Sequence, residues 1–195
     1  MNKTYEQLRL ETDSDEEVYA IWWLEELLQA GYIEKYERSE TYQLAEPIKR
    51  QYTKHLKTRQ RYVEEHVAQG AKYTPDFKIY WTSKALGVFA TFYDGYNKKT
   101  TPFYCDSQLR TTLEIKGMHD RNREIPLYTI KIKWLFQVHG IFVHMVKMPK
   151  LFNDTFTPMR YMTTNKSGKA RSMGKISKKV WHPISLDRYI VSLSS

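Results

Sequence analysis

Two short segments of this chain carry side chains able to hydrolyse a phosphate ester: Tyr73-Thr74-Pro75-Asp76-Phe77 and Leu113-Glu114-Ile115-Lys116-Gly117. The carboxylates of Asp76 and Glu114 can hold a hard divalent cation such as Mg²⁺ through oxygen. A lysine beside them, Lys116, can orient an attacking water and offset the negative charge that develops on the phosphoryl group. Acid-x-Lys alone is a weak signal, since Asp76-Phe77-Lys78 is a second instance, but Pro-Asp and acid-x-Lys-Gly each occur once. The bland alternative is a lone carboxylate and an exposed ion pair on a half-exposed strand.

The elements that must position these groups are legible from period and punctuation. Residues 109–116 read as a strand. Alternation sends Leu113 and Ile115 to the core and Glu114 and Lys116 to the other side. The main-chain carbonyl of Ile115 lies between them as a further oxygen donor, and Gly117 permits a sharp exit. Pro75, with no amide to donate, suits a strand start and sets Asp76 at the mouth of 77–81. Residues 86–93 read as a third central strand, and 32–37 and 41–44 as outer strand material.

A helix is expected over 14–30, with Ala20, Ile21, Leu24, Leu27 and Leu28 as its apolar stripe and Gly31 as its C′ residue. Ser14 is its N-cap, and Glu17 at N3 completes a capping-box pattern. Glu17 has two compatible roles, as a cap or as an auxiliary carboxylate at the end of the core, with Glu16 as its alternative. Trp22 and Trp23 read as core. A second helix over 126–138 packs through Tyr128, Ile132, Leu135 and Phe136 and exposes Lys131 and Lys133, and a buried strand follows at 141–146. His139 and His144 have no metal-ligand spacing and read as packed or hydrogen-bonded. The order is α/β, a mixed sheet flanked by helices.

The chain is 195 residues long with a net charge of +9, unevenly placed. Residues 1–48 hold 4 Lys/Arg against 12 Asp/Glu, and residues 49–195 hold 27 against 10. A basic body of this kind suits a polyanion partner, nucleic acid first. Three clusters stand out. Lys49, Arg50, Lys54, Lys57, Arg59 and Arg61 lie in a basic insertion over 46–68, read as a short helix or irregular arm. Arg121 and Arg123 follow Gly117. Arg160, Lys166, Lys169, Arg171 and Lys175 lie in an acid-free stretch over 160–180. Lys133 adds a further cation. With one cysteine, Cys105, an intrachain disulfide and a thiolate-rich zinc site are excluded. No apolar run approaches a membrane span and no leader-like segment opens the chain, so a cytoplasmic setting without a membrane partner is expected.

On these residues the chain resembles the PD-(D/E)xK nuclease superfamily, the restriction-endonuclease-like fold, and within it the small phage endonucleases related to Holliday-junction resolvases. The matching positions are Pro75-Asp76, Glu114-Ile115-Lys116-Gly117 and the helix from Ser14 to Gly31, where Glu17 stands in the Ser-x-x-Glu setting of the family's extra carboxylate. The nuclease subunit of heteromeric Tn-seven-type transposases is similar in layout. The resemblance covers roughly residues 12–147 of a single domain, leaving a basic C-terminal extension over 150–195. It implies Mg²⁺, with Mn²⁺ able to substitute, held by Asp76, Glu114, the Ile115 carbonyl and Glu17. It implies branched, junction or duplex DNA as substrate, a homodimer, and a bacterial host if the gene is phage-borne. A transposase or other recombination protein as partner, a non-catalytic DNA-binding or assembly role on the same fold, and an RNA substrate stay open.

Overall fold

A computed structural model describes residues 3–93, 101–117, 124–164, 169 and 179–194. After a short helix α1 (Tyr5–Leu10), α2 spans Asp15–Gln29. Its start is fixed by Ser14, whose Oγ accepts from the Glu17 amide at 3.2 Å, and by three acids in the first turn that complement the helix dipole. It ends in a Schellman close: Gly31, at φ +74°, returns its N–H to Leu28 and Tyr32 returns its N–H to Leu27 at 2.9 Å.

The central sheet has the order β1 (Ile33–Arg38), β6 (Phe77–Trp81), β9 (Arg110–Lys116), β10 (Val143–Lys147). β1–β6 and β6–β9 are antiparallel and β9–β10 is parallel, so the sheet is mixed. A parallel pair needs a long crossover, and α3 (Glu124–His139) lies between β9 and β10. On one face α2 packs Trp23, Leu24 and Leu27 against Ile79, Trp81, Leu113 and Ile115. On the other, Leu135 of α3 and Val143 close over Tyr42, Leu44 and Tyr73. β9 is therefore covered on both sides, and Thr111 to Ile115 are all buried.

The C-terminal segment belongs to the same core. α4 (Met148–Asp154), α5 (Met159–Thr163) and α6 (Leu186–Leu193) contribute Leu151, Phe152, Tyr161, Leu186 and Tyr189, and Phe156 stacks on Trp23 at 5.6 Å. Arg160, read from sequence as part of an acid-free basic stretch, binds Glu25 at 2.8 Å and lies over the Trp22 ring.

Three elements differ from expectation. Residues 86–93 do not join the central sheet. Gly87 at φ +78° breaks the run behind a 3₁₀ turn (Ser83–Ala85), leaving β7 (Ala90–Phe92) to pair in parallel with β8 (Phe103–Cys105). The insertion at 46–68 is neither helix nor irregular arm. It is an antiparallel hairpin of β3 (Ile48–His55) and β4 (Gln60–Ala68), whose Tyr, Thr and Val positions favour strand once paired. On α3, Leu135 is buried as expected, but Phe136, expected beside it, is 40% exposed and meets the rings of Tyr93 and Phe142. Among the described residues, no helix is long and apolar enough to cross a membrane.

Candidate active site

The site forms where β6 begins and β9 ends. Pro75 is buried, and Asp76 anchors itself through its own N–H to the Leu113 carbonyl at 3.0 Å. Its Oδ2 accepts from the Ile115 amide at 2.6 Å. The β6–β9 ladder stops at Phe77↔Leu113, so the carboxylate supplies the Ile115 amide with the acceptor that a further strand residue would have provided.

Glu114 is buried, with both oxygens engaged. The Tyr73 hydroxyl donates to Oε2 at 2.9 Å, and Lys116 Nζ stands 2.7 Å from Oε1. Lys116 and Glu114 share a face of β9 as alternation requires, but that face is roofed rather than open: Lys116 Nζ lies 3.4 Å from the centroid of the Tyr128 ring of α3. Tyr73 comes from β5 (Ala71–Tyr73), which pairs with β2 (Tyr42–Ala45) through Tyr42↔Tyr73.

Glu17 approaches from the first turn of α2, and it too is buried. Its Oε2 binds Arg38 at 2.7 Å and its Oε1 accepts from the Ser14 hydroxyl at 3.2 Å. The box is thus only half made, since the Glu17 carboxylate meets the cap's hydroxyl rather than its amide. Arg38 itself lies over the Phe77 ring at 4.7 Å. Of the two candidate acids, Glu17 is the one whose charge acts on Asp76, whereas Glu16 acts on Tyr5 and Tyr19.

The electrostatics follow from this crowding. Burial, then the Glu114 charge, push the Asp76 carboxyl up to about 7; the Ile115 amide and Lys116 oppose this and Glu17 adds to it. Burial alone would lower Lys116, but the bond and charge of Glu114, with Tyr128 adding to them, together outweigh it and its pKa is raised, so it stays charged at neutral pH. Burial and the Glu114 charge likewise raise the Tyr73 phenol, keeping it a donor.

Among the described residues, no three His, Cys, Asp or Glu side chains cluster as a preformed cation cage. The carboxylate pair nonetheless suits a divalent cation. Ionised Asp76 and Glu114 have lone pairs beyond the bonds they make, and a proton held to near neutral pH marks a charge deficit that a cation would relieve. Two carboxylates and a main-chain oxygen are a donor set that Mg²⁺ accepts, since it keeps several waters.

The remaining expected residues scatter. Lys49 and Arg50 are tied to Glu64 and Glu65 at the hairpin root, while Lys54, Arg59 and Arg61 are exposed on its outer half. Lys133 is exposed on α3, and Lys169 is exposed. Arg121, Arg123, Lys166, Arg171 and Lys175 lie outside the described residues. His144 is buried and accepts from the Tyr104 amide at 2.9 Å, and His139 meets the Gln43 carbonyl at 2.7 Å. Sequence reasoning missed Tyr73, Tyr128 and Arg38. Only Tyr73 had a signal, as the last residue of strand character before Pro75. In comparisons with known proteins, no family model, no curated protein and no solved structure matches this chain.

Proposed function

We propose that this chain is a metal-dependent DNA endonuclease on a restriction-endonuclease-like core. The observation that carries the reading is the Asp76–Glu114 pair where β6 meets β9: Asp76 accepts from the Ile115 amide at 2.6 Å, Glu114 is paired with Lys116 at 2.7 Å, and burial followed by the Glu114 charge pushes Asp76 up to about 7. In a body this basic, unbridged carboxylates would repel a polyanion, and a pure binding surface gains nothing from them.

Asp76, Glu114 and the Ile115 main chain would hold Mg²⁺, or Mn²⁺ in its place, with Glu17 at the margin. A divalent cation bound there supplies Lewis acidity toward a phosphoryl oxygen and an acidified water. Lys116, held charged by Glu114, does not act as a base. It would donate to the attacking water or to a non-bridging oxygen, from a position beside the Tyr128 ring and the Glu114 carboxylate that the Tyr73 hydroxyl also holds. Without a cation, Asp76 is the group that holds a proton up to about neutral pH, so a bound cation would displace that proton. Resemblance suggests junction or branched duplex DNA, and paired cuts would be made by a homodimer.

The test is cleavage of end-labelled linear duplex, single-stranded and four-way-junction DNA, with Mg²⁺, Mn²⁺ or EDTA. Wild type is expected to cut only with metal, and Glu114→Ala to lose at least about 10³-fold. Tight salt-sensitive binding with no cutting would replace the enzyme with a binding protein. Cutting only on addition of a transposase would make the chain a subunit.

A further inference from the structure

β3 and β4 keep one register from Lys49↔His66 to His55↔Gln60. Side chains therefore sort onto two faces, and Arg50, Tyr52 and Lys54 share one with Glu65, Val63 and Arg61. The acids stand at the root, in the Lys49–Glu64 and Arg50–Glu65 pairs, each at 2.7 Å. The outer half has none. Lys54 is directly opposite Arg61, and Lys57 and Arg59 occupy the turn beyond them. Like charges directly opposite destabilise a strand pair, and an isolated hairpin is marginal in water to begin with. Among the described residues no ion pair offsets these four cations.

The ribbon is rooted on the candidate site. β5, which follows it, ends at Tyr73 on Glu114, and Asp76 comes three residues later. The neck is tight: a Cβ on Gly70 would stand 2.8 Å from the Ala45 carbonyl oxygen and 3.1 Å from Pro47 Cδ. Only glycine lets the strands cross there without displacement.

We infer that this ribbon lies in the major groove of B-form DNA, its Lys54/Arg61 face toward base edges and phosphates, and holds duplex on the Asp76–Glu114 site. The assignment of the site rests on the nuclease reading; the ribbon's own chemistry does not. A two-stranded ribbon fits a groove about 12 Å wide, and strands of eight and nine residues reach about 27 Å. The deep, narrow major groove of A-form RNA does not admit it. The exposed rings Tyr52 and Tyr62 stand on opposite faces, so they make no stacking row for single strands.

The experiment measures binding by fluorescence anisotropy in EDTA. The probes are a 20-base-pair DNA duplex, the RNA duplex of the same sequence and one DNA strand. Methyl green is the major-groove competitor and netropsin the minor-groove one, and the same preparations are assayed for duplex cleavage in Mg²⁺. Wild type is expected to prefer the DNA duplex and to be displaced by methyl green rather than netropsin. Lys54→Ala/Arg61→Ala should lower the duplex-to-single-strand affinity ratio about ten- to hundred-fold and the salt slope by about two. Gly70→Ala, which leaves every cation in place, should lower the same ratio by displacing the arm. A double variant that binds and cuts duplex like wild type, or displacement by netropsin alone, overturns the arm and leaves the nuclease reading standing. Arm-dependent duplex binding without any cutting supports the arm and overturns the nuclease reading. Equal binding of the RNA duplex overturns the groove assignment.

Discussion

Lys116→Met is expected to slow single-turnover DNA cleavage by about 10²–10³-fold while leaving the Kd for uncut DNA within a few-fold. The reason is the charge state of the group. Glu114 at 2.7 Å keeps Lys116 protonated, so the side chain contributes a fixed positive donor at neutral pH rather than a proton acceptor. Removing it also leaves Glu114 with the Tyr73 hydroxyl as its remaining bond, and breaking a buried pair from one side costs about 3–5 kcal/mol. The variant must therefore be compared at a temperature where circular dichroism shows both proteins folded. Lys116→Arg is not expected to restore the rate, because a guanidinium spreads its charge over a planar fork and carries its donors beyond the point that the compact Nζ occupies, 2.7 Å from Glu114 and over the Tyr128 ring. Cleavage by folded Lys116→Met at the wild-type rate would remove Lys116 from the mechanism.

The second large effect is on stability and has a definite sign. Asp76 is pushed up to about 7 in the folded chain, chiefly by burial and Glu114, so the fold favours its protonated form. Between an unfolded value of about 4 and the folded one, the native state binds more protons, and stability falls as pH rises through that window. Asp76→Asn keeps an acceptor for the Ile115 amide and carries no charge. It should melt with wild type near pH 4 and above it beyond pH 7. After discounting for solvent at a half-buried group, the gap is about 1–2 kcal/mol, or about 3–6 °C for a chain of this size. Millimolar Mg²⁺ at pH 8 should narrow the gap by stabilising wild type alone, since metal and proton compete for the same carboxylate. A pH-independent difference in melting temperature would contradict the crowding at Asp76.

Much of the site's frame was readable from local chemistry. Ser14 and Gly31 bracket a helix because a cap acceptor and a left-handed close are local requirements, and both bonds are made. The alternation from Leu113 to Lys116 holds in the partners rather than in burial: Leu113 and Ile115 join the core with α2, and Glu114 and Lys116 meet Tyr73 and Tyr128. What escaped the sequence depends on distant pairing. In the hairpin, cations on both faces hid the period of two, and its ion pairs join residues 15 apart, as in Lys49–Glu64. Arg160 stands in an acid-free stretch, and its partner, Glu25, is 135 residues away. The roof over Lys116 comes from α3, and no feature of β9 announces Tyr128. Phe152 and Phe156, in a region read for its lysines, complete the core around Trp23.

The most direct test of the Asp76–Glu114 pair as a cation site is a Mn²⁺ titration followed by the electron paramagnetic resonance of free Mn²⁺, with wild type, Asp76→Asn and Glu114→Gln at pH 8. Wild type is expected to remove free Mn²⁺ signal stoichiometrically at the concentrations that support cleavage, and each variant to weaken that uptake at least about tenfold. Undiminished free signal with wild type, or uptake identical in all three proteins, would contradict the account at its centre.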